Sequence, residues 1–248
     1  MSVRSLQSYR VWDLPTRCFH WINFACVVGL AAIGIALLYE KELGVTDGGK
    51  ILLKTTHVWI GYVFAVNLAW RIVWAFLGNR YARWSAIYPF HPGYGAAFKS
   101  YVRELWRGDV HPYLGHNPLA RAMVSLLLLL LVLQAGSGLI LAGTDIYYPP
   151  FGRWIAGWIA APGIDPSTIV PYDKTGVDPA SWEAMRAFRS PILSFHFWNF
   201  CALLVAIVVH IAGVIVTELR EGGAIVSAMF TGRKVIDRAP ADDPGLDT

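Results

Sequence analysis

Four histidines lie inside or at the ends of long apolar stretches of this chain: His20, His57, His196 and His210. An ionisable side chain at membrane depth is costly, so each of the four is a candidate for function. Two imidazoles that face each other from neighbouring helices can supply both axial ligands of a haem iron. We therefore predict that these histidines bind haem iron.

The positions of the histidines sort them into two pairs. His196 and His210 are separated by almost four helical turns, so they face nearly the same side of one helix, about 21 Å apart along its axis. Along the apolar stretches, His20 and His210 share one depth, and His57 and His196 share the other. The sequence thus predicts two haem b groups, one held by His20 and His210 and one by His57 and His196.

Two arginines and several glycines fit the same prediction. Arg17 and Arg71 lie at the depth of the His20/His210 pair, where they are predicted either to bind the haem propionates or to extend to the lipid head groups. Small residues on the apolar stretches would leave room for a flat macrocycle; they are Gly29, Gly34, Gly61, Gly136 and Gly138. His91, His111 and His116 are predicted to be surface or loop residues, although His116 is also placed to help bind a quinone head group.

The elements that position these residues are predicted to be membrane helices. Of the 248 residues, 55% are hydrophobic and 15% are charged, and the mean hydropathy is +0.44. A soluble domain carries about 25% charged residues. Four stretches have the roughly 20 apolar residues that a transmembrane helix needs; they cover residues 19–39, 58–77, 119–142 and 191–217.

The predicted fold class is therefore an all-α membrane protein, a four-transmembrane-helix bundle that binds haem between its helices. We expect one integral membrane domain over residues 1–236 and a polar cytoplasmic tail over residues 237–248. The cysteines form no C-x-x-C-H motif, which excludes a covalently attached c-type haem.

The distribution of positive charge predicts the orientation. The N-terminal segment, the second connection and the C-terminal tail together carry thirteen Lys and Arg residues, Arg4 among them, and the other side carries seven. The positive-inside rule then places both termini in the cytoplasm of a multi-pass protein of the bacterial inner membrane. Because the excess charge is concentrated in loops beside lipid, the formal net charge of +4 does not indicate a nucleic-acid partner.

Two connections between the spans are predicted to be structured. Residues 95–106 interleave aromatic and charged side chains as an amphipathic helix at the membrane surface does. Asn117 and Pro118 form an N-cap and a first helical residue for the third span. Residues 143–190 are rich in Pro, Gly, Asp and Trp, and we expect them to form an extracytoplasmic lid.

These motifs resemble the b-type cytochrome subunit of membrane-bound nickel–iron hydrogenases, within the wider superfamily of prokaryotic cytochrome b561 and di-haem cytochromes b. The resemblance covers about residues 9–236. It is carried by Arg17-Cys-Phe-His20-Trp21, His57-Val-Trp-Ile-Gly61, Arg71-Ile-Val-Trp74 through Arg80-Tyr81, Gly115-His116-Asn117-Pro118, the spacing of His196 and His210, and Glu218-Leu-Arg220-Glu221 through Gly232.

The resemblance implies a four-helix electron-transfer subunit of an oxidoreductase complex. Such a subunit carries b haems and passes electrons between a hydrogenase at the outer face and the quinone pool. By this resemblance, the haem-ligand positions are His20, His57, His196 and His210. The 143–190 connection is longer than the hydrogenase type leads us to expect. A b561-type cytochrome that exchanges electrons between quinol and a periplasmic c-type cytochrome is therefore the alternative.

Two further classes fit the sequence less well. A histidine-based metal or proton transporter would need carboxylates beside the membrane histidines, but the interiors of the spans contain none. A haem-free anchor for a peripheral enzyme would not account for histidines that pair by depth.

Overall fold

The computed structural model describes residues 6–222 and 224–242. Arg4 and residues 243–248 of the predicted tail lie outside this range. In chain order the elements are β1 (Gln7–Arg10), α1 (Leu14–Leu38), α2 (Asp47–Leu77), α3 (Trp84–Ile87), α4 (Tyr94–Arg107), α5 (Pro118–Asp145), α6 (Gly152–Ile159), a 3-10 turn (Pro166–Thr168), α7 (Pro179–Glu221), α8 (Ile225–Thr231) and β2 (Arg233–Ile236). Helices α1, α2, α5 and α7 are long and apolar enough to cross a membrane, which confirms the predicted fold class.

The four long helices extend beyond the apolar stretches because their first residues are set by N-caps. Before each helix, a side-chain oxygen accepts a hydrogen bond from the backbone N–H three residues later, over 2.8–3.2 Å. The capping residues are Asp13, Thr46, Asn117 and Asp178. The predicted cap at Asn117 is confirmed.

Helix α7 differs most from its prediction. The predicted span begins at Pro191, but the helix begins twelve residues earlier, at Pro179, and contains Pro191 in its interior. The pair Asp178 and Pro179 repeats the Asn117 and Pro118 pattern that begins α5. The apolar composition therefore indicates the span, while the cap determines the first residue of the helix.

The chain divides into two compact units, and every long helix contributes one part to each. The terminal unit comprises the described parts of Met1–Trp21, Ala69–Leu129 and Leu203–Thr248. The loop unit comprises Ile22–Leu68 and Leu130–Ala202.

Both ends of the described chain meet in the terminal unit. Strand β1 pairs antiparallel with β2, with Gln7 opposite Ile236 and Arg10 opposite Arg233. This ribbon packs on a buried cluster formed by Val11, Trp12, Tyr81, Leu114, Ala228 and Ile236. The helix predicted over residues 95–106 is confirmed as α4, which ends at Arg107 and is followed by the C-cap Gly108, whose positive φ of 76° suits glycine.

The connection over residues 143–190, which was predicted to form a lid, is structured and belongs to the loop unit. It contains α6, the 3-10 turn and the first turns of α7. Its own apolar cluster comprises Ile155, Ala156, Ile159, Ile169 and Met185.

Candidate haem-binding sites

The loop unit brings together His57 from α2 and His196 from α7. The two imidazoles are close enough to interact electrostatically, and both side chains are partly buried. The Nδ1 atom of His57 is buried without a hydrogen-bond partner in the described residues. These are the two residues that were predicted to form one ligand pair.

His196 has polar partners on both ring nitrogens. The Oγ of Ser137 lies 2.8 Å from Nδ1 of His196, and the side-chain Nε2 of Gln134 lies 3.0 Å from the imidazole Nε2. Both partners come from α5 and are one turn apart. Gln134 in turn accepts a hydrogen bond of 2.6 Å from Nδ2 of Asn199, which is one turn after His196 on α7.

Two of the five predicted glycines lie against these histidines. A Cβ added at Gly138 would lie 3.2 Å from Cε1 of His196, which is tighter than ordinary contact. A Cβ at Gly34 would lie 3.7 Å from Cε1 of His57. Gly61 and Gly136 have no side-chain or backbone neighbour that an added Cβ would meet within 4 Å. Gly29 instead faces Ile60, at 3.5 Å.

An ion triad lies at the same ends of the helices. Asp145 at the end of α5 forms salt bridges with Lys54 of α2 at 3.1 Å and with Arg189 of α7 at 2.7 Å. Lys54 is one turn before His57, and Arg189 is two turns before His196. The triad therefore joins the three helices that carry the loop-unit ligands and their partners.

The terminal unit brings together His20 from α1 and His210 from α7, which also interact electrostatically. The ring of Trp21 lies edge-on to His20 with centroids 5.1 Å apart, and its Nε1 donates to the carbonyl of Met229 at 3.1 Å. The Nδ1 of His20 is buried without a hydrogen-bond partner in the part of the chain that the structure describes.

The two predicted propionate-binding arginines are placed differently. Arg17 donates from Nη1 to the carbonyl of Phe230 in α8, which commits part of its guanidinium to the C-terminal segment. Arg71 is only 4% exposed, lies over the ring of Phe19 at 5.9 Å, and has no described hydrogen-bond partner for Nη1. Nε of Arg17 is also buried without a described hydrogen-bond partner, and Arg71 interacts electrostatically with Asp13, so each arginine keeps one buried N–H that could donate to a carboxylate.

His116 is more enclosed than its sequence position predicts. His91 and His111 are exposed, as predicted, but the ring of His116 packs on Trp12 with centroids 4.9 Å apart, and its Nδ1 is buried. Burial, together with the positive charges of Lys234, Arg71, Arg121 and His210, lowers the pKa of His116 to about 3. Its imidazole is therefore neutral at physiological pH.

Sequence reasoning missed a buried polar network beside His116. Glu221 at the end of α7 accepts hydrogen bonds from the Tyr101 hydroxyl and from Nδ2 of Asn117, the latter at 2.9 Å. Lys234 is 4% exposed and donates from Nζ to the carbonyl of Tyr113 at 3.0 Å; burial lowers the pKa of this lysine. These hydrogen bonds join segments that are far apart in sequence, so no local sequence motif predicts the network.

The residues present fit haem. Each histidine pair could supply two imidazole ligands to a b-type haem iron. The buried Nε of Arg17 and Nη1 of Arg71 have no described hydrogen-bond partner and could donate to haem propionates. In residues 6–222 and 224–242, no three His, Cys, Asp or Glu side chains gather into an ion-binding group.

Comparisons with known proteins point to one family. The sequence profile described as prokaryotic cytochrome b561 matches residues 11–232. A probable Ni/Fe-hydrogenase B-type cytochrome subunit from Cupriavidus necator is 25% identical over 93% of this chain and 88% of its own length. A protein with the same description from Rhizobium leguminosarum bv. viciae is 26% identical over 92% of this chain and 90% of its own.

A relative that matches a shorter part of the chain has a higher sequence identity over that part. The probable Ni/Fe-hydrogenase 1 B-type cytochrome subunit of Escherichia coli K12 is 32% identical over 46% of this chain and 52% of its own length. No solved structure matches the chain.

Proposed function

The chain belongs to the prokaryotic cytochrome b561 family and is a multi-pass membrane cytochrome of b type, and from this premise we propose its particular function. It is a di-haem cytochrome b that transfers electrons between an extracytoplasmic redox partner of the hydrogenase type and the membrane quinone pool. The observation that carries the proposal is the presence of one partly buried histidine pair in each unit, His57 with His196 and His20 with His210.

In this proposal the chain's own residues hold the cofactors and exclude water. His57 and His196 would bind one haem b iron, and His20 and His210 would bind the other. When bound, haem b supplies one-electron exchange at its iron. The apolar faces of the four long helices keep this chemistry in a medium of low dielectric constant, where ligand and hydrogen-bond effects on potential are strong.

The quinone site is proposed in the terminal unit. His116 interacts electrostatically with both Arg71 and His210, so a neutral imidazole and a buried guanidinium lie near one ligand pair. A quinone head group offers two carbonyl oxygens that accept hydrogen bonds from such donors. Arg71 would be shared between this head group and a haem propionate.

The partner is proposed from the relatives. Proteins that match over about nine-tenths of this chain are described as hydrogenase cytochrome subunits. By the charge count of the sequence, both termini face the cytoplasm of a bacterial inner membrane and residues 143–190 face the opposite side, where a hydrogenase would dock.

The proposal is tested by electron exchange in liposomes that contain the purified chain. We expect a short-chain quinol to reduce the haem, and we expect Arg71→Leu to slow the reduction while Arg80→Leu, an exposed control, leaves it unchanged. Haem that binds but does not exchange electrons with any quinol would contradict the quinone half of the proposal.

Native membranes test the partner. Hydrogen is expected to reduce the haem of membranes that contain the wild-type chain. If a reduced c-type cytochrome exchanges electrons with it and hydrogen does not, the hydrogenase partner is wrong and the b561-type alternative takes its place.

A further inference from the structure

His196 is distinguished from the other proposed ligands by a side-chain hydrogen-bond relay that runs through both of its ring nitrogens. The relay consists of Asn199, Gln134, His196 and Ser137, all within the loop unit. His20 and His57 have no described partner at Nδ1. This difference determines what each imidazole can do as a ligand.

The direction of the relay is fixed at one end by a backbone carbonyl of α5. Nδ2 of Asn199 lies 3.0 Å from the carbonyl oxygen of Leu130, and a carbonyl can only accept. The same amide nitrogen donates its second proton to Oε1 of Gln134 at 2.6 Å. The NH2 end of Gln134 must therefore face His196, and it donates to a lone pair on the imidazole Nε2.

A second carbonyl fixes the other end. The Ser137 hydroxyl donates to the carbonyl oxygen of Leu133 at 2.8 Å, one turn earlier in α5. With its proton committed, Oγ of Ser137 can only accept from His196, so Nδ1 of His196 carries the proton. His196 is thus held as the tautomer whose Nε2 carries the lone pair, and this nitrogen would bind a metal in place of the Gln134 amide.

We propose that Ser137 is a positioning residue for the haem ligand His196 and lowers the reduction potential of the haem that His57 and His196 hold. The inference rests on the proposed function. An Nδ1–H that donates to an oxygen makes its imidazole a stronger electron donor, which favours the ferric iron. Gly138 adds to the positioning, because it leaves the gap into which the edge of the His196 ring fits.

The hydroxyl of Ser137 has a hydrogen-bond partner even without His196. Its hydroxyl is already satisfied within α5 by Leu133, so the bond to His196 adds an acceptor that only the imidazole requires. Thr144 provides the comparison on the same helix, two turns later: its buried hydroxyl donates to the carbonyl of Leu141 at 3.1 Å and has no hydrogen bond to a histidine of the described residues. Thr144→Ala is therefore the matched control.

The test is a redox titration of full-length Ser137→Ala, Ser137→Thr, Thr144→Ala and wild type, with haem counted per chain and ferric EPR spectra recorded. His57→Ala identifies which signal belongs to the loop-unit haem. We expect Ser137→Ala to favour reduction of that haem by about tenfold, which is 59 mV for a one-electron couple. Ser137→Thr keeps the hydroxyl and is expected to restore the wild-type potential, and Thr144→Ala is expected not to change it.

Loss of only the loop-unit haem in Ser137→Ala, with retention in Ser137→Thr and Thr144→Ala, supports the same role. Wild-type potentials and EPR spectra in Ser137→Ala would overturn the inference while leaving the di-haem proposal intact. Wild-type protein without haem would instead refute the proposed function itself, so the two failures are separable.

Discussion

The histidine pairs of the loop unit and the terminal unit lie in different surroundings. In the loop unit, His196 has neutral partners, Ser137 and Gln134, and the charged groups form a triad near the helix ends. In the terminal unit, the pair His20 and His210 lies with a buried arginine, a buried lysine and a neutral histidine. The described side-chain partners of His196 are neutral, whereas the terminal unit buries charges of both signs, Arg71 and Lys234 together with Glu221.

From this difference we infer that the two regions set the potentials of their proposed haems in different ways. In the proposed function, the charge of Arg71, which like His210 lies near His116, would favour the reduced form of the terminal-unit haem, and the hydrogen bond to His196 would favour the oxidised form of the loop-unit haem. Electron flow from the proposed partner to quinone would then run toward the higher potential.

The largest expected effect separates the two histidine pairs. His57→Ala or His196→Ala removes one axial ligand of the loop-unit haem, and we expect the haem content to fall from about two per chain to about one. His20→Ala and His210→Ala should instead remove the terminal-unit haem. Haem extraction with absorption spectra checks this, and equal loss of both haems from every variant would contradict separate sites.

The next effect concerns the buried network of the terminal unit. Glu221→Leu leaves the Tyr101 hydroxyl and the Asn117 amide without their acceptor, and we expect a loss of about 3 kcal/mol in the free energy of unfolding. Thermal unfolding in detergent measures it. Glu183→Leu, on the exposed surface of the same helix, is the control and should change the midpoint little. Similar midpoints for both variants would rule out a stabilising network.

Some features of this structure can be predicted from local sequence patterns, and others cannot. The four spans, the histidine pairs and the Asn117 cap follow from local patterns of apolar, ionisable and capping residues. Asp178 and Pro179 form the same capping pattern, but they lie outside the apolar stretch, so the start of α7 was predicted too late, at Pro191. The contacts of Glu221 with Tyr101 and Asn117 depend on chain segments about a hundred residues apart, which no local pattern encodes.

The relay around His196 is an intermediate case. Gln134 and Ser137 are one turn apart on α5, and His196 and Asn199 are one turn apart on α7. The spacing places each pair on one helix face. Only the packing of α5 against α7 shows that the two faces meet.

A smaller effect tests the anchoring of α1 in the terminal unit. Burial alone would raise the pKa of Asp13, but hydrogen bonds from Thr16, Asn79 and Trp74 lower it below its ordinary value. This carboxylate therefore stabilises the fold above pH 3.8, and its contribution is lost as the pH falls further through the lowered pKa. We expect Asp13→Asn to cost about 1–2 kcal/mol near neutral pH and less in acid.

Thermal midpoints over a pH series check the Asp13 prediction. The exposed Asp47 at the start of α2 provides the control, and Asp47→Asn should follow the wild-type pH profile more closely. A cost for Asp13→Asn that grows as the pH falls below 3.8 would contradict the assigned sign.

The smallest expected effect is that of a glycine substitution beside His196 in the loop unit. Gly138→Ala gains about 1 kcal/mol of helix propensity but requires the His196 ring to move by a few tenths of an ångström. We expect a changed EPR spectrum of the loop-unit haem with little change in stability. Gly136→Ala meets no atom within 4 Å and should leave both haem spectra unchanged.

The central claim is that one chain binds two non-covalent b haems. A reduced-minus-oxidised absorption spectrum of the purified protein, with haem extracted and counted per chain, tests it most directly. The account predicts b-type spectra and about two extractable haems per chain, in line with two bis-histidine pairs. Well-folded wild-type protein that contains no haem would contradict it.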